Sequence, residues 1–472
     1  MLFGPVLPFV RAFIEAIDEA IQQHHPRARL SHAQRAWLGF CIMGILVTNV
    51  VSWAHFERAS LRAYTVSALS WMFRHSKIPW ALLLPMSTRL ILRRFGITEG
   101  VLVLDDTDKR RSKTTQRIAK VHKLKDKATG GFFMGQSLVL LLLVTETLTL
   151  PVGFAFYLPD PALSRWYKQE KQRKKRGLPH RQPKPAKNPA YPTKLELALW
   201  LLDEFKHFHP TIKVKVVLAD ALYGTSHFLD AASALFEGVQ VISQLRSNQK
   251  VGRGQDEVSL DRFFEQQASS EDQIALRGGA KQQVSFVRAC LYVRAHGKKR
   301  LVIALKYEGE DQYRYLVASD HHLSVVEGWR SEDVIAAYLL RWLVEVFFQD
   351  WKAHEGWAAL TQQMDEEGSD RSLILSLLLD QCLLVHPAQQ AQLENKLPAY
   401  TVGSLIGQIK VEALLGVIRQ WVTGEHAQAQ LAHLSALLER DCFKLNESKK
   451  HLSGRKVALF EAEPVVELKR AA

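Results

Sequence analysis

Cysteine is scarce in this 472-residue chain: Cys41, Cys290, Cys382 and Cys442 lie far apart and form no CxxC or Cys/His spacing. That excludes a disulfide-stapled scaffold and argues against a structural zinc site. Acidic side chains are also in short supply, 48 Asp and Glu against 62 Lys and Arg, which leaves a formal charge of +14. So basic a chain suggests a polyanionic partner, either nucleic acid or an acidic membrane surface. No secretory signal is visible at the N-terminus, where Arg11 and then acids arrive before any cleavage-like site. Long apolar runs are nearly absent. The exception, AWLGFCIMGILVTNVVSWA at 36–54, carries no charge and is almost long enough to span a bilayer. Thr48, Asn49 and Ser52 dilute it, and nothing else in the chain is membrane-like, so a buried helix and no membrane are expected. What is present is an ordinary globular composition, 47% hydrophobic and 23% charged. A chain of this length exceeds one compact core, and roughly two to four domains are expected.

The texture changes along the chain. Residues 1–98 show helical spacing only, with breaks at His25-Pro26, around Phe56 and at Ile78-Pro79, and read as a helical region. From 99 to 248, short β-branched runs alternate with helical patterns: VLVLDD at 101–106, two strands and a turn within 137–158, VKVVLAD at 214–220 and VQVISQLR at 239–246. That alternation predicts an α/β layer with a mixed sheet. Residues 249–330 read as a mostly antiparallel β insertion. Helices follow near 331–354, 369–386, 401–422 and 426–441; 331–390 would complete the α/β core, and 391–472 would be a C-terminal helical region. Segment 165–194 is unusual, with eleven Lys or Arg against one Glu. Its prolines and glycine predict a solvated loop. Its basic run Arg173, Lys174, Lys175 and Arg176, with Trp166, Tyr167 and Tyr191 close by, suits phosphate neutralisation and base stacking.

The chemistry is concentrated in YLLRWLVEVFFQDWK at 338–352. On a helix advancing roughly 100° per residue, Tyr338, Arg341, Glu345 and Lys352 fall in a stripe about 60° wide, with apolar residues around the rest of the circumference. An internal Arg341–Glu345 pair accounts for two of the four; a cleft that handles a charged substrate accounts for all of them. VLVLDD and VKVVLAD both end in aspartate where an apolar strand emerges, the position at which α/β sheets hold ligands. One such Asp is more often a cap or turn residue. Two of them, together with a carboxylate on a buried helix, repel one another in a way that a hard divalent cation relieves. His207 and His209 form an HxH without a third ligand and read as surface histidines.

The spacing Tyr338-x2-Arg341-x3-Glu345-x6-Lys352 resembles the Y-R-E-K signature of bacterial insertion-sequence DDE transposases. DDT at 105–107 is similar to that group's first acidic motif, in which the catalytic Asp precedes Thr, and so selects Asp106. LADALYG at 218–224 resembles the second motif and selects Asp220, although the glycine follows Tyr223 rather than preceding it. The resemblance spans roughly 99–355. It implies a ribonuclease-H-like catalytic core interrupted by the β insertion and flanked by helical regions. It further implies metal-holding catalytic residues Asp106, Asp220 and Glu345, with Mg2+ as cofactor and Mn2+ as substitute. Tyr338, Arg341 and Lys352 would grip phosphates, and Trp342 would stack on a displaced base unless it is core. Lys109, Arg110, Arg111 and Lys113, just past the first acidic motif, would clamp DNA or form a solvated turn. The implied protein is a cut-and-paste transposase of the bacterial cytoplasm and nucleoid, acting on double-stranded DNA as a homodimer, with 1–98 contributing DNA binding and 391–472 dimerisation. Nuclease-only use of the fold and a domesticated DNA-binding protein are the alternatives.

Overall fold

The structure is a computed structural model. It describes residues 3–421 apart from 61, 112–114, 116, 127, 180–182, 255–256, 276–280, 321–328, 358–359 and 361–362, and also residues 447, 448, 450 and 451. Lys113, Cys442, the His321-His322 pair and the helix expected at 426–441 lie outside the described residues.

Five helices open the chain: α1 Pro8–His24, α2 His32–Thr48, α3 Trp53–Ala59, α4 Val66–His75 and α5 Trp80–Arg94. The uncharged run that raised the membrane question forms most of α2. Ser31 and Gln34 close a capping box at its start, and Asn49 ends it in the left-handed conformation at φ 56°. It is apolar all round because it is surrounded: Leu38, Ile42, Ile45 and Leu46 are fully buried, each contributing about 2 kcal/mol of burial. Among the described residues no single helix is long and apolar enough to cross a membrane. Its neighbours include α12 (Glu366–Leu384) from far along the chain, which also packs on α5. One hydrophobic core therefore runs from Phe3 to Ala413, and the N-terminal helices do not stand apart from it.

The sheet follows: β1 Glu99–Arg111, β2 His122–Lys125, β3 Phe132–Val144 and β4 Thr149–Tyr157, then α6 Pro161–Lys175 and α7 Lys194–Phe208, then β5 Lys213–Ala219, α8 Ser226–Leu235 and β6 Val241–Leu245. β3, with SLVLLLLV buried on both faces, lies between β1 and β4 and is antiparallel to both. On its other side β1 runs parallel to β5, and β5 parallel to β6. The order β4-β3-β1-β5-β6 is thus three antiparallel strands joined to two parallel ones, a mixed α/β sheet with α7 packed on β3 and β4.

The next segment extends the same sheet instead of leaving it. β7 Lys250–Val251, β8 Val258–Ser259, α9 Leu260–Glu265, β9 Ser270–Ala275, β10 Lys281–Val293, β11 Lys298–Tyr307 and β12 Arg314–Ala318 are joined antiparallel, and β12 pairs with β6. Arg300, fully buried on β11, holds this extension to α8 through Asp230 (2.7 Å) and Ser226 (3.2 Å). The chain then returns through α10 Ser331–Leu339 and α11 Trp342–His354 to α12, α13 Pro387–Glu394 and α14 Val402–Trp421.

Two local expectations change. The basic segment expected as a loop from 165 begins as helix α6, because Asp160 caps it, Pro161 occupies its first turn, and no breaker intervenes before Gly177. The prolines that suggested a loop are confined to 179–192. The single helix expected over 338–352 is two. Leu340, Arg341, Leu343 and Val344 donate their amides to carbonyls three residues back, and this tightened turn separates α10 from α11.

Candidate active site

β1 carries two adjacent aspartates, and successive side chains of a strand face opposite ways. The register decides which of them meets the rest of the constellation. Val103 pairs with Leu218 and Leu104 with Ala219, so Asp105 and Asp220 are the next residues out along two neighbouring parallel strands. Arg341, in the turn between α10 and α11, donates from Nη1 to Asp105 Oδ2 at 2.8 Å, and the same nitrogen lies 3.8 Å from Glu345 Oε1. Asp106 points elsewhere: its Oδ2 accepts from Lys194 Nζ at 2.6 Å, at the start of α7, with that ammonium 5.4 Å from the centre of the Tyr157 ring. The structure therefore joins Asp105 and Glu345 through Arg341, sets Asp220 at the matching end of the neighbouring strand, and ties Asp106 to Lys194 on α7, with the Asp106 charge still felt by Asp105.

The electrostatics separate the two acids further. Burial pushes the Asp105 carboxyl up to about 7; the Arg341 charge and the Asp106 amide (2.7 Å) oppose that rise, while the Asp220 and Asp106 charges add to it. Burial works against the charge of Arg341, but Tyr338, Asp105, Asp220 and Glu345 outweigh it and raise its pKa. Tyr338 is buried beside this guanidinium, 5.7 Å from ring centre to Arg341 Cζ, and burial drives its phenol upward.

α11 is fixed from below. Trp351 Nε1 donates to Ser376 Oγ on α12 at 2.7 Å, and Trp351 stacks on Trp357 at 4.6 Å. Because of the tight turn at 340–341, Glu345 is not buried in line with Tyr338; its side chain is 46% exposed. Lys352 is exposed over the Phe348 ring, its pKa lowered by burial of its stem against the opposing charges of Glu345 and Asp108. Trp342 is 54% exposed and is not a core residue.

The remaining expected DNA contacts fare differently. Lys109 is 5% exposed, its ammonium donating to the Trp357 carbonyl, and burial lowers its pKa to about 7. It could reach a phosphate only by breaking that bond, which corrects the expectation of a surface clamp. Arg111 is half-buried against Gln136 (2.8 Å) and the Leu360 carbonyl (3.2 Å). Arg110 is exposed and pairs with Asp126. Arg173 bonds the Pro179 carbonyl within its own segment, whereas Lys174, Lys175 and Arg176 face solvent. His209, expected on the surface, is buried, and that burial lowers its pKa to about 3.

The reading of the sequence did not single out Asp105 or Lys194, which the structure places against Arg341 and Asp106 respectively. Alternation along VLVLDD could not choose between the two aspartates, because every residue from 101 to 104 is fully buried. Only the pairing with β5 distinguishes them. The displaced glycine of LADALYG has a structural reason: a Cβ at Gly224 would run into the Gln244 carbonyl oxygen of β6, and Tyr223 beside it is buried.

The donor chemistry of Asp105, Asp220 and Glu345 suits a hard divalent cation. Among the described residues, however, no group of three or more His, Cys, Asp or Glu stands close enough to hold one, and the cation that Asp105 and Glu345 share is the Arg341 guanidinium. A cavity of 1380 Å3 lined by Trp80, Phe154, Trp200, Phe205, Asp370 and Arg371 includes none of the three carboxylates.

No curated protein matches the chain. A family model described as DDE superfamily endonuclease matches residues 27–262, which takes in Asp105, Asp106 and Asp220 and ends before Glu345. Since that match covers half of the sequence, the chain belongs to the DDE superfamily of endonucleases.

Proposed function

We propose that this endonuclease is a DNA transposase that binds the terminal inverted repeats of its own element, cuts there, and joins the 3′ ends to target DNA. The observation that carries the reading is Arg341, bonded to Asp105 and 3.8 Å from Glu345, with Asp220 at the matching end of the neighbouring strand and the Asp105 carboxyl raised to about 7 by burial. We assign the catalytic roles to these three, with Asp105 in the place expected for Asp106. The strand order β4-β3-β1-β5-β6 supports a ribonuclease-H-like core, with the antiparallel strands from β7 to β12 as its insertion.

A pair of Mg2+ or Mn2+ ions held by these carboxylates would supply an activated water or 3′-hydroxyl and steady the leaving oxygen. The chain's own residues do the rest. Arg341, released from the acids, pairs with a phosphate oxygen near the cut, a geometry its planar fork suits. Lys352 holds the backbone alongside, and Tyr338 supports Arg341 from beneath. Trp342, exposed at the start of α11, offers a face for a displaced base. Lys174, Lys175 and Arg176 add sequence-independent attraction to the duplex. Two ends must be processed together, so the working form is a homodimer assembled on DNA.

The test is incubation of the full chain with the DNA that flanks its own gene, with Mg2+ or Mn2+. Nicks at inverted-repeat tips, followed by joined products, are expected. Nicks without joining would reduce the assignment to a nuclease, and binding without nicks under either metal would overturn it.

A further inference from the structure

Beyond the acids, β1 does not stop. It continues from Asp105 to Arg111, about 20 Å at roughly 3.3 Å per residue, still paired with β3 through Arg111 and Met134. β2 adds a third strand there, in register from His122 opposite Gly135 to Lys125 opposite Phe132. The result is a three-stranded ribbon extending from the catalytic strand. Gly135 lets it close: a Cβ at that position would lie 2.6 Å from the Lys109 carbonyl oxygen.

Both faces of the ribbon carry a cation on an aromatic ring. On one, Lys123 Nζ lies 4.3 Å from the centre of Phe132; on the other, Arg110 Cζ lies 4.6 Å from the centre of Phe133. Lys123, Lys125 and Arg110 are exposed, and Asp126 is the acid that Arg110 engages. Lysines on β2 also have a bland explanation, since an edge strand is protected from unwanted pairing by charge. That explanation does not extend to Phe132, which leaves 59% of its surface in water at the end of the ribbon. A cation over a solvated ring is too weak an attraction to justify this exposure.

We infer that this ribbon is a second DNA contact, with Lys123, Lys125 and Arg110 on backbone phosphates and Phe132 against a base step of the duplex. The inference rests on the DNA-cutting reading above. The chemistry is that of nucleic acid: phosphate neutralisation beside an apolar wedge or stacking face. Its reach places the contact roughly six base pairs from the scissile phosphate, at ~3.4 Å per pair.

The test uses the full chain and duplex DNA from its element's ends, with affinity measured by fluorescence anisotropy across a salt series. Phe132→Ala is expected to weaken binding about tenfold, with recovery in Phe132→Trp. Lys123→Ala with Lys125→Ala is expected to lower the log–log salt slope by roughly two. A 2-aminopurine placed about six pairs from the cut, at ~3.4 Å per pair, should brighten on binding of the wild-type chain. Wild-type affinity and slope in these variants would overturn the inference and leave the endonuclease reading intact. Failure of the wild-type chain to bind any DNA would instead overturn that reading. If Phe132→Ala fails to fold, the wild-type 2-aminopurine signal decides, and its absence at every position along the flank sinks the contact.

Discussion

Asp105 and Asp106 are neighbours on one strand and face two different electrostatic worlds. On one side of β1 an acid is buried with a second acid beside it and a third reached through one arginine, so its carboxyl is held up to about 7. On the other side the next residue meets a lysine at 2.6 Å and is neutralised by it. Proximity in sequence thus says little about role, because successive side chains of a strand point to opposite faces. An acid kept near neutrality by burial and like charge costs the fold something, and such an arrangement is characteristic of sites that bind cations or move protons. An acid tied to a lysine at the mouth of a helix costs little.

The largest effect expected from this contrast is on cleavage. Asp105→Asn should abolish metal-dependent nicking, by about a thousandfold or more if it removes several kcal/mol of metal-assisted stabilisation. Asp106→Asn should stay within about tenfold of the wild type, roughly 1.4 kcal/mol. The reverse ranking in a nicking assay would restore Asp106 as the catalytic acid and break the comparison.

The second effect is on stability. Asp105 has its folded pKa raised, from 3.8 to about 7. Its contribution is therefore fully present below about pH 4 and lost as pH rises through 7. The loss is at most about 4 kcal/mol at 1.36 kcal/mol per tenfold change. Asp105→Asn should accordingly stabilise the protein at pH 8 and not at pH 4, in denaturant titrations read against the wild type. Asp370, also pushed up to about 7 by burial, adds to the wild-type pH profile but cancels in that difference. A stability gap unchanged between the two pH values would show that Asp105 does not sit in the environment described.

A third effect concerns the guanidinium shared by Asp105 and Glu345. With Arg341→Ala the carboxylates lose that cation, so Mn2+ should bind about tenfold more tightly without DNA, some 1.4 kcal/mol, as read by calorimetry. Cleavage should fall all the same, because the phosphate contact is lost with the side chain. Weaker Mn2+ binding in the variant would mean that Arg341 organises the acids instead of occupying their place.

Much of this site was legible in the sequence, and the reasons for the misses are physical. Apolar runs ending in acid at 104–106 and 217–220 located two strands and their carboxyl ends, since buried strands tolerate so little else. The helical stripe through Tyr338, Arg341 and Glu345 pointed to a charged cleft, and Arg341 and Glu345 do meet in space. Three features escaped. A pairing register is a relation between distant segments, so the choice of Asp105 could not be read from VLVLDD alone. The tight turn at 340–341 rotates α11 relative to α10, which exposes Trp342 and Glu345 where a continuous helix would have buried the tryptophan's side. The outer half of β1 is charged and reads as a solvated turn or a DNA clamp, yet it pairs along its length because β3 extends beside it.

The smallest effect tests the other side of the strand. Lys194→Met removes the partner of Asp106 and keeps the length of the stem that packs near Tyr157. Because the Asp106 carboxylate is partly exposed, water can take over its solvation, and the change should cost about 1 kcal/mol or less. Nicking should remain within about threefold of the wild type, since the Asp106 side chain leaves the strand on the face opposite Asp105 and water can solvate its partly exposed charge. A hundredfold loss of nicking with unchanged stability would mean that Lys194 and Asp106 act together on the DNA. The two sides of β1 would then be halves of one site, not a working side and a supporting one.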